Sequence, residues 1–199
     1  MSDAFWDERY AKAAAAGDPV WSIEPNVWIE QVTSTLPPGV AIDLAAGEGR
    51  NALWLASRGW RVTAVDFAAA GLAIGRQRAS EADLAVDWVT ADVTTWASPR
   101  RVDLVVIAYL QLPAAALTRV ISHSIDSLAP GATLALIGHD SENREHGVGG
   151  PQDPSLLHEL DVLRAAAAGL DVVECQRYER RIADGRVAID AILLARMPA

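Results

Sequence analysis

A single cysteine, Cys175, excludes an internal disulfide and cannot by itself define a metal site, so no metal is expected. Cys175 reads instead as a small buried apolar residue. Cations are scarce: 17 lysines and arginines face 26 aspartates and glutamates, giving a formal net charge of −9. A duplex or RNA partner wants a basic face, so nucleic acid is not expected as a partner. The longest apolar runs are too short to cross a bilayer, and no basic stretch followed by an apolar one opens the chain. The expectation is a cytoplasmic protein without membrane contact, monomeric or homodimeric. Apolar residues are not scarce, at 51% of 199, enough for a full core. A single domain over 1–199 is expected, with a helical cap over 1–36 and an α/β core over 37–199.

The chain is organised around Val40-Ala-Ile-Asp-Leu-Ala-Ala-Gly-Glu-Gly-Arg-Asn-Ala52. Val40 to Leu44 is apolar apart from Asp43, which suits a strand buried on both faces of a parallel sheet. Gly47 and Gly49 permit positive φ and let a ligand touch the backbone. A helix follows, and its free N–H groups and positive dipole end point back at the turn. Such a turn receives a polar or anionic small molecule at the carboxyl edge of the first strand.

Strand and helix then alternate. A helix from Arg50 to Arg58 closes on Gly59, and Arg61 to Asp66 is the second strand. A helix over Ala68 to Ala82 carries Gly71 and Gly75, each costing roughly 1 kcal/mol against alanine. Ala85 to Thr90 and Val102 to Ala108 are further strands. A helix opens at Pro113 and ends before Ala129-Pro130-Gly131, which is expected to break the chain ahead of a fifth strand, Thr133 to Gly138. Residues 141–154 are polar and glycine-rich, a lid or a surface excursion. One helix is expected from Asp153-Pro154 through Leu156, Leu160, Leu163 and Ala167 to Gly169. Two strands near Asp171 to Tyr178 and Arg186 to Ala195 flank Ala183-Asp184-Gly185, so the sheet should end in an antiparallel hairpin. Ahead of this core, residues 5–16 read as a helix stopped by Gly17, Asp18-Pro19 as a turn, and Pro25 to Leu36 as a second helix. The fold class is therefore α/β: a doubly wound, Rossmann-like, mostly parallel seven-stranded sheet.

Three acids stand at successive strand ends. Asp43 lies inside the end of the first, Asp66 closes the second about 20 residues after the turn, and Asp92 follows the third. They suit a ligand presenting an amine, a ribose and an adenine amino group, because a carboxylate can only accept hydrogen bonds. The plainer reading makes each a helix cap or turn former.

These motifs resemble the class I S-adenosylmethionine (SAM)-dependent methyltransferases. Ala41-Ile-Asp-Leu-Ala-Ala-Gly-Glu-Gly-Arg-Asn-Ala52 is similar to their first motif, Val62-Thr-Ala-Val-Asp-Phe67 to the second and Thr90-Ala-Asp-Val93 to the third. Leu128-Ala-Pro-Gly-Ala-Thr-Leu134 resembles their turn before strand five. Gly47-Glu-Gly-Arg-Asn-Ala-Leu-Trp-Leu-Ala56, Phe5-Trp-Asp-Glu-Arg-Tyr10 and Trp21 resemble the small-molecule branch with tellurite-resistance and thiopurine-type enzymes. Ala45 stands where the family's first glycine is usual, and Ala46 where a cysteine or glycine is frequent; a positive φ at either would be strained. The resemblance implies that Asp43 meets the methionine amino group, directly or through water, and that Ala45, Ala46, Gly47 and Gly49 pass the methionine part. It gives Asp66 and Phe67 to the ribose and the adenine, Asp92 and Val93 to the adenine edge, and Ala108 and Tyr109 to the sulfonium and the acceptor. S-adenosylhomocysteine would be the product.

Methyl transfer needs alignment and desolvation, and a base only for a hydroxyl or a poorly ionised thiol. His139 and Asp140, after strand five, are the candidate bases. Trp6, Tyr10 and Trp21 either wall an apolar acceptor pocket or glue the N-terminal helices to the sheet. With Gln111 at its polar end, such a pocket suits a phenol, quinol or aryl thiol. Two rivals remain. Gly47-Glu-Gly-Arg-Asn-Ala52 also fits the G-x-G-x-x-A pattern of an NAD(P)-dependent oxidoreductase, though with Lys12 as the only lysine no Tyr-x-x-x-Lys pair can form. A non-catalytic SAM-binding protein is the other.

Overall fold

The computed structural model describes residues 3–16, 20, 22–182 and 184–199. Gly17, Asp18-Pro19, Trp21 and Ala183, all invoked above, lie outside the described residues. Seven strands form one sheet in the order β3-β2-β1-β4-β5-β7-β6: β1 Val40–Leu44, β2 Arg61–Asp66, β3 Val86–Thr90, β4 Val102–Ala108, β5 Leu128–His139, β6 Asp171–Arg181 and β7 Val187–Arg196. β1, β2 and β3 pair in parallel, whereas β7 runs antiparallel to both β5 and β6. This is the expected Rossmann-like sheet with its closing hairpin. The chain divides into two compact units, Met1–Trp96 with Leu104–Val106, and Ala97–Asp103 with Ile107–Ala199.

In the first unit, β1 and β2 supply a core of Ala41, Ile42, Leu44, Val62, Ala64 and Val65, all buried. Helices α1 Asp3–Ala16, α2 Val27–Thr33, α3 Arg50–Ser57 and α4 Ala69–Glu81 accompany them. Asn26 caps α2 through its side chain, which accepts from the N–H groups of Trp28 and Ile29 at 3.0 and 3.1 Å. Its own N–H donates to Asn51 Oδ1 of α3 at 2.9 Å, so the cap also fixes how α2 meets α3. Tyr10 of α1 is buried and lies against Gly71 of α4, while Asp7 Oδ1 accepts from the Ala70 N–H at 3.1 Å. The two glycines inside α4 are explained by such close approaches. A Cβ on Gly75 would stand 2.5 Å from Trp88 Cη2 and 3.0 Å from the Glu48 carbonyl oxygen.

In the second unit, α5 Ala114–Ser127 turns Leu117, Val120 and Ile121 inward. Two expectations need correction. The break at Ala129-Pro130-Gly131 is part of β5, which starts at Leu128. Its extended backbone finds partners beyond β7, with the Gly131 N–H donating to the Met197 carbonyl at 3.0 Å and the Met197 N–H to that of Ala132 at 2.8 Å. The single helix expected after Asp153 is instead a 3₁₀ turn, Pro154–Leu156, and a separate helix. His158 interrupts it: its N–H donates to the His139 carbonyl at 2.8 Å and its carbonyl accepts from the Ser141 N–H at 2.9 Å. A residue whose backbone is engaged in that way cannot continue a helix. Residues 141–154 contain a one-turn helix, α6 Asn143–His146, and α7 Leu160–Ala166 follows the 3₁₀ turn.

Gly75→Ala is expected to cost about 1–3 kcal/mol despite its better helix propensity, because the added methyl collides with Trp88. Urea unfolding measures this; a gain in stability would mean that the ring yields freely.

Candidate functional site

In the first unit the turn after β1 takes the left-handed conformation three times, at Ala45 (φ 57°), Gly47 (57°) and Gly49 (75°). For the two glycines this is free; for Ala45 it is the strain anticipated where the family usually has glycine. The turn is held from β2. The Ala46 N–H donates to the Val65 carbonyl at 3.1 Å, and the Gly47 N–H donates to Asp66 Oδ2 at 2.8 Å. Asp66 Oδ1 accepts from the Ala68 N–H, also at 2.8 Å, at the start of α4. Burial pushes the Asp66 carboxyl above its ordinary range, and these backbone bonds oppose the shift. Each oxygen keeps a second lone pair, so the clasp does not exhaust the carboxylate.

Asp43 is fully buried. Its Oδ2 accepts from the Ala52 N–H in the first turn of α3 at 3.0 Å, and its Oδ1 has no partner. Burial drives its pKa up to about 7, against the Ala52 bond and the charge of Arg50, which lower it. A buried acceptor atom left open at the foot of a glycine turn is an unmet demand for a donor. Asp92 is exposed, and its Oδ1 accepts from both the N–H and the hydroxyl of Thr94 at 2.8 Å, the geometry of a turn former. Val93 beside it is buried, and Phe67 half-buried. Trp6 stacks on Tyr10 with ring centroids 5.8 Å apart, so Tyr10 is spent on packing α1 to α4 while Trp6 stays partly open.

Sequence reasoning overlooked Glu48. It lies between the two glycines yet is buried, with Oε1 accepting from the Val20 N–H at 3.0 Å and Oε2 paired to Arg78 at 3.2 Å. Nothing local marks it, since its partners come from distant segments. Gly71 and Gly75, four residues apart on one helix face, were a usable signal that something packs closely there.

The second unit gathers a polar cluster around β7. Tyr109, after β4, has φ 57°, an outlier for a bulky side chain. Its N–H donates to the Ile137 carbonyl at 2.8 Å, and its hydroxyl donates to Asp190 Oδ2 at 2.9 Å. Arg180 Nε donates to the same oxygen at 2.8 Å, with its guanidinium 5.6 Å from the Tyr109 ring centroid. His139 tilts against that ring at 5.0 Å, and its Nδ1 stands 3.1 Å from Asp190 Oδ1. Burial alone would raise the Asp190 carboxyl, yet the imidazole and the guanidinium hold it below the usual range. Sequence reasoning found His139 and Tyr109 but not Asp190 or Arg180. The signal for Asp190 was there, a lone acid in the apolar run Val187 to Ala195.

Asp140, the other base candidate, is fully buried; its Oδ1 accepts from Arg177 Nε and from the Glu142 N–H, both at 2.9 Å. Buried His158 is pushed down to about 4 by burial and by His139, and so is neutral. The loop 141–154 is pinned by Asn143, whose Oδ1 accepts from the Ile189 N–H at 2.7 Å. Ala108 and Gln111 are half-buried, and Cys175 is buried with Sγ 3.7 Å from the Leu160 carbonyl. Among the described residues no group of three His, Cys, Asp or Glu could hold a metal, and no helix is long and apolar enough to cross a membrane.

Residues 41–131 match a family described as a methyltransferase domain. No curated protein sequence matches the chain. Among solved structures it is similar to TehB from Haemophilus influenzae at 18% identity and a TM-score of 0.75, over 87% of this chain and 62% of that one. The chain thus spans under two thirds of the length of TehB. The N-methyltransferase NodS from Bradyrhizobium japonicum, solved with S-adenosylhomocysteine, is 17% identical with a TM-score of 0.73, over 98% of this chain and 99% of that one. Magnesium protoporphyrin IX methyltransferase from Synechocystis, solved with bound SAM, is 16% identical with a TM-score of 0.65, over 98% and 79%. At such identities the likeness is one of fold.

Two outcomes are expected. Ala45→Gly should raise stability by up to about 1 kcal/mol, the left-handed strain relieved less the added freedom of the unfolded chain; a loss in chemical denaturation would mean that the alanine methyl packs usefully. Asp43 holds a proton in the folded state between its unfolded pKa of about 4 and its folded value of about 7, so its contribution to stability falls as pH rises through that window. Asp43→Asn should therefore gain on the parent between pH 5 and pH 8 in urea titrations. A difference flat with pH would show that Asp43 ionises without penalty.

Proposed function

We propose that this chain, whose residues 41–131 match a methyltransferase domain and whose sheet is that of the class I methyltransferases, catalyses SAM-dependent methyl transfer to a small acceptor. The acceptor class we favour is an aromatic or apolar hydroxyl or thiol. The observation that carries the reading is the open Oδ1 of Asp43, buried beneath a turn whose backbone is already bent for close approach. An ammonium group there would satisfy the orphan oxygen and favour the ionised carboxylate. Ala45, Ala46, Gly47 and Gly49 would line the methionine part, Asp66 and Phe67 the ribose and adenine, and Asp92 and Val93 the adenine edge. Asp92 has Oδ2 to offer, since Thr94 engages only Oδ1.

When bound, SAM supplies a methyl group on a positively charged sulfur, an already activated donor. The protein's task is then to orient, to exclude water and to manage a proton. Tyr109 and Gln111 are the residues we assign to the acceptor in the second unit; in the first, we assign Trp6 to contact with an aromatic group. Tyr10 serves the pocket by holding α1 on α4. Of the two base candidates we favour His139, because Asp140 Oδ1 is committed to Arg177.

Calorimetry tests the reading. SAM and S-adenosylhomocysteine should bind and NAD should not. Asp66→Ala should weaken SAM at least about 100-fold, having lost a charge-assisted acceptor and the clasp on Gly47. Preference for NAD would overturn the proposal, and unchanged SAM affinity in the variant would remove Asp66 from the site.

A further inference from the structure

The cluster on β7 holds its carboxylate in a particular way. Asp190 is fully buried and divides its oxygens: Oδ2 takes the Tyr109 hydroxyl and Arg180 Nε, while Oδ1 is left to His139 Nδ1 at 3.1 Å. That contact is close without being a hydrogen bond, and neither atom has another partner. A small rotation of the imidazole completes the bond, and bonds of this type commonly tighten only when the acceptor molecule is in place. An Nδ1–H directed at a carboxylate leaves Nε2 as the lone-pair nitrogen, because neutral imidazole carries one proton.

Arg180 decides what kind of dyad this is. Its guanidinium already balances the charge of Asp190, so with His139 neutral the set of Asp190, Arg180, His139 and Tyr109 carries no net charge. The carboxylate then fixes the ring more than it raises its basicity. Of the other titratable groups close to His139, His158 is held neutral by burial and its Nδ1 makes no hydrogen bond, and Asp140 is paired with Arg177. The fourth wall is Gly150, φ 75°, where a Cβ would come within 2.8 Å of the His139 ring carbons.

We infer that Asp190 is a positioning residue that holds His139 as the Nδ1–H tautomer, so that Nε2 takes the proton of a hydroxyl acceptor. In that step the O–H bond breaks, the proton passes to Nε2, and the electron pair stays on the oxygen, which becomes the nucleophile; the proton leaves to water on turnover. This deepens the methyltransferase reading and, for its role in the reaction, rests on it.

Nitrogen NMR of the histidine rings tests the tautomer in the unmodified protein. His139 should carry its proton on Nδ1 when neutral; a proton on Nε2 would overturn the dyad. Asp190→Asn should lower the pH at which His139 titrates, and Arg180→Gln, which leaves the carboxylate unbalanced, should raise it. Shifts of equal sign, or none, would also overturn it. With phenol and thiophenol as probe acceptors, Asp190→Asn should slow phenol about 100-fold while thiophenol, ionised at neutral pH, changes little and the KM for SAM is kept. Equal losses would leave Asp190 a structural residue. Should neither probe be methylated and SAM fail to bind, the methyltransferase reading falls, while the tautomer result still decides the dyad.

Discussion

Asp66 joins three things by one carboxylate: the end of β2 that carries it, the Gly47 N–H of the turn after β1, and the Ala68 N–H that opens α4. Neither oxygen is free to let go without exposing a buried backbone donor, a penalty of about 1–3 kcal/mol each. The turn is in turn wedged from α4, where Gly71 lies under the Gly47 carbonyl and Gly75 under that of Glu48. The same contacts explain why α4 tolerates two poor helix formers. A site built in this way is set before any ligand arrives, and preorganisation is what a reaction with an activated donor needs.

Two fully buried aspartates show how environment rather than residue type sets charge. Asp43 has one backbone bond and only the weaker opposing charge of Arg50, so burial prevails and its pKa climbs to about 7. Asp190 is as deeply buried, yet Arg180, Tyr109 and His139 surround it and its pKa falls. The first is a carboxylate awaiting a donor; the second has its donors already. A structural role accounts for Asp190 fully if Tyr109 is ordinary, but Tyr109 sits at φ 57°. Strain of that kind persists only where the surroundings over-determine it, and the Ile137 and Asp190 bonds do so here.

The first four strands were legible almost residue for residue, because β1, β2 and β4 are short apolar runs bounded by glycine, proline or acids. The glycine turn and the three strand-end acids were legible for the same reason: chemistry fixed in a local pattern. What escaped depended on partners far along the chain. Leu128 to Gly131 looked like a break, since proline and glycine are breakers locally, and only the pairing with Met197 makes it strand. Leu157 to Glu159 looked helical by apolar spacing until the backbone of His158 bonded to His139 and Ser141. Glu48 and Arg180 reveal themselves only through Val20, Arg78 and Asp190.

Asp92 shows where the capping reading and the binding reading stop being rivals. Its Oδ1 forms a turn with Thr94, as the plainer reading requires. That turn uses one oxygen and restrains the side chain, which leaves Oδ2 to a ligand. Asp66 repeats the logic with two backbone donors, and Asp43 with one. In each case the structural bond lowers the entropy that a ligand would otherwise have to remove from the side chain. A capping role therefore counts for a binding role at these strand ends, provided that one acceptor site survives the cap; in Asp140 the cap is heavier, since Oδ1 serves both Arg177 and the Glu142 N–H, and Oδ2 alone is left, buried without a partner as Asp43 Oδ1 is.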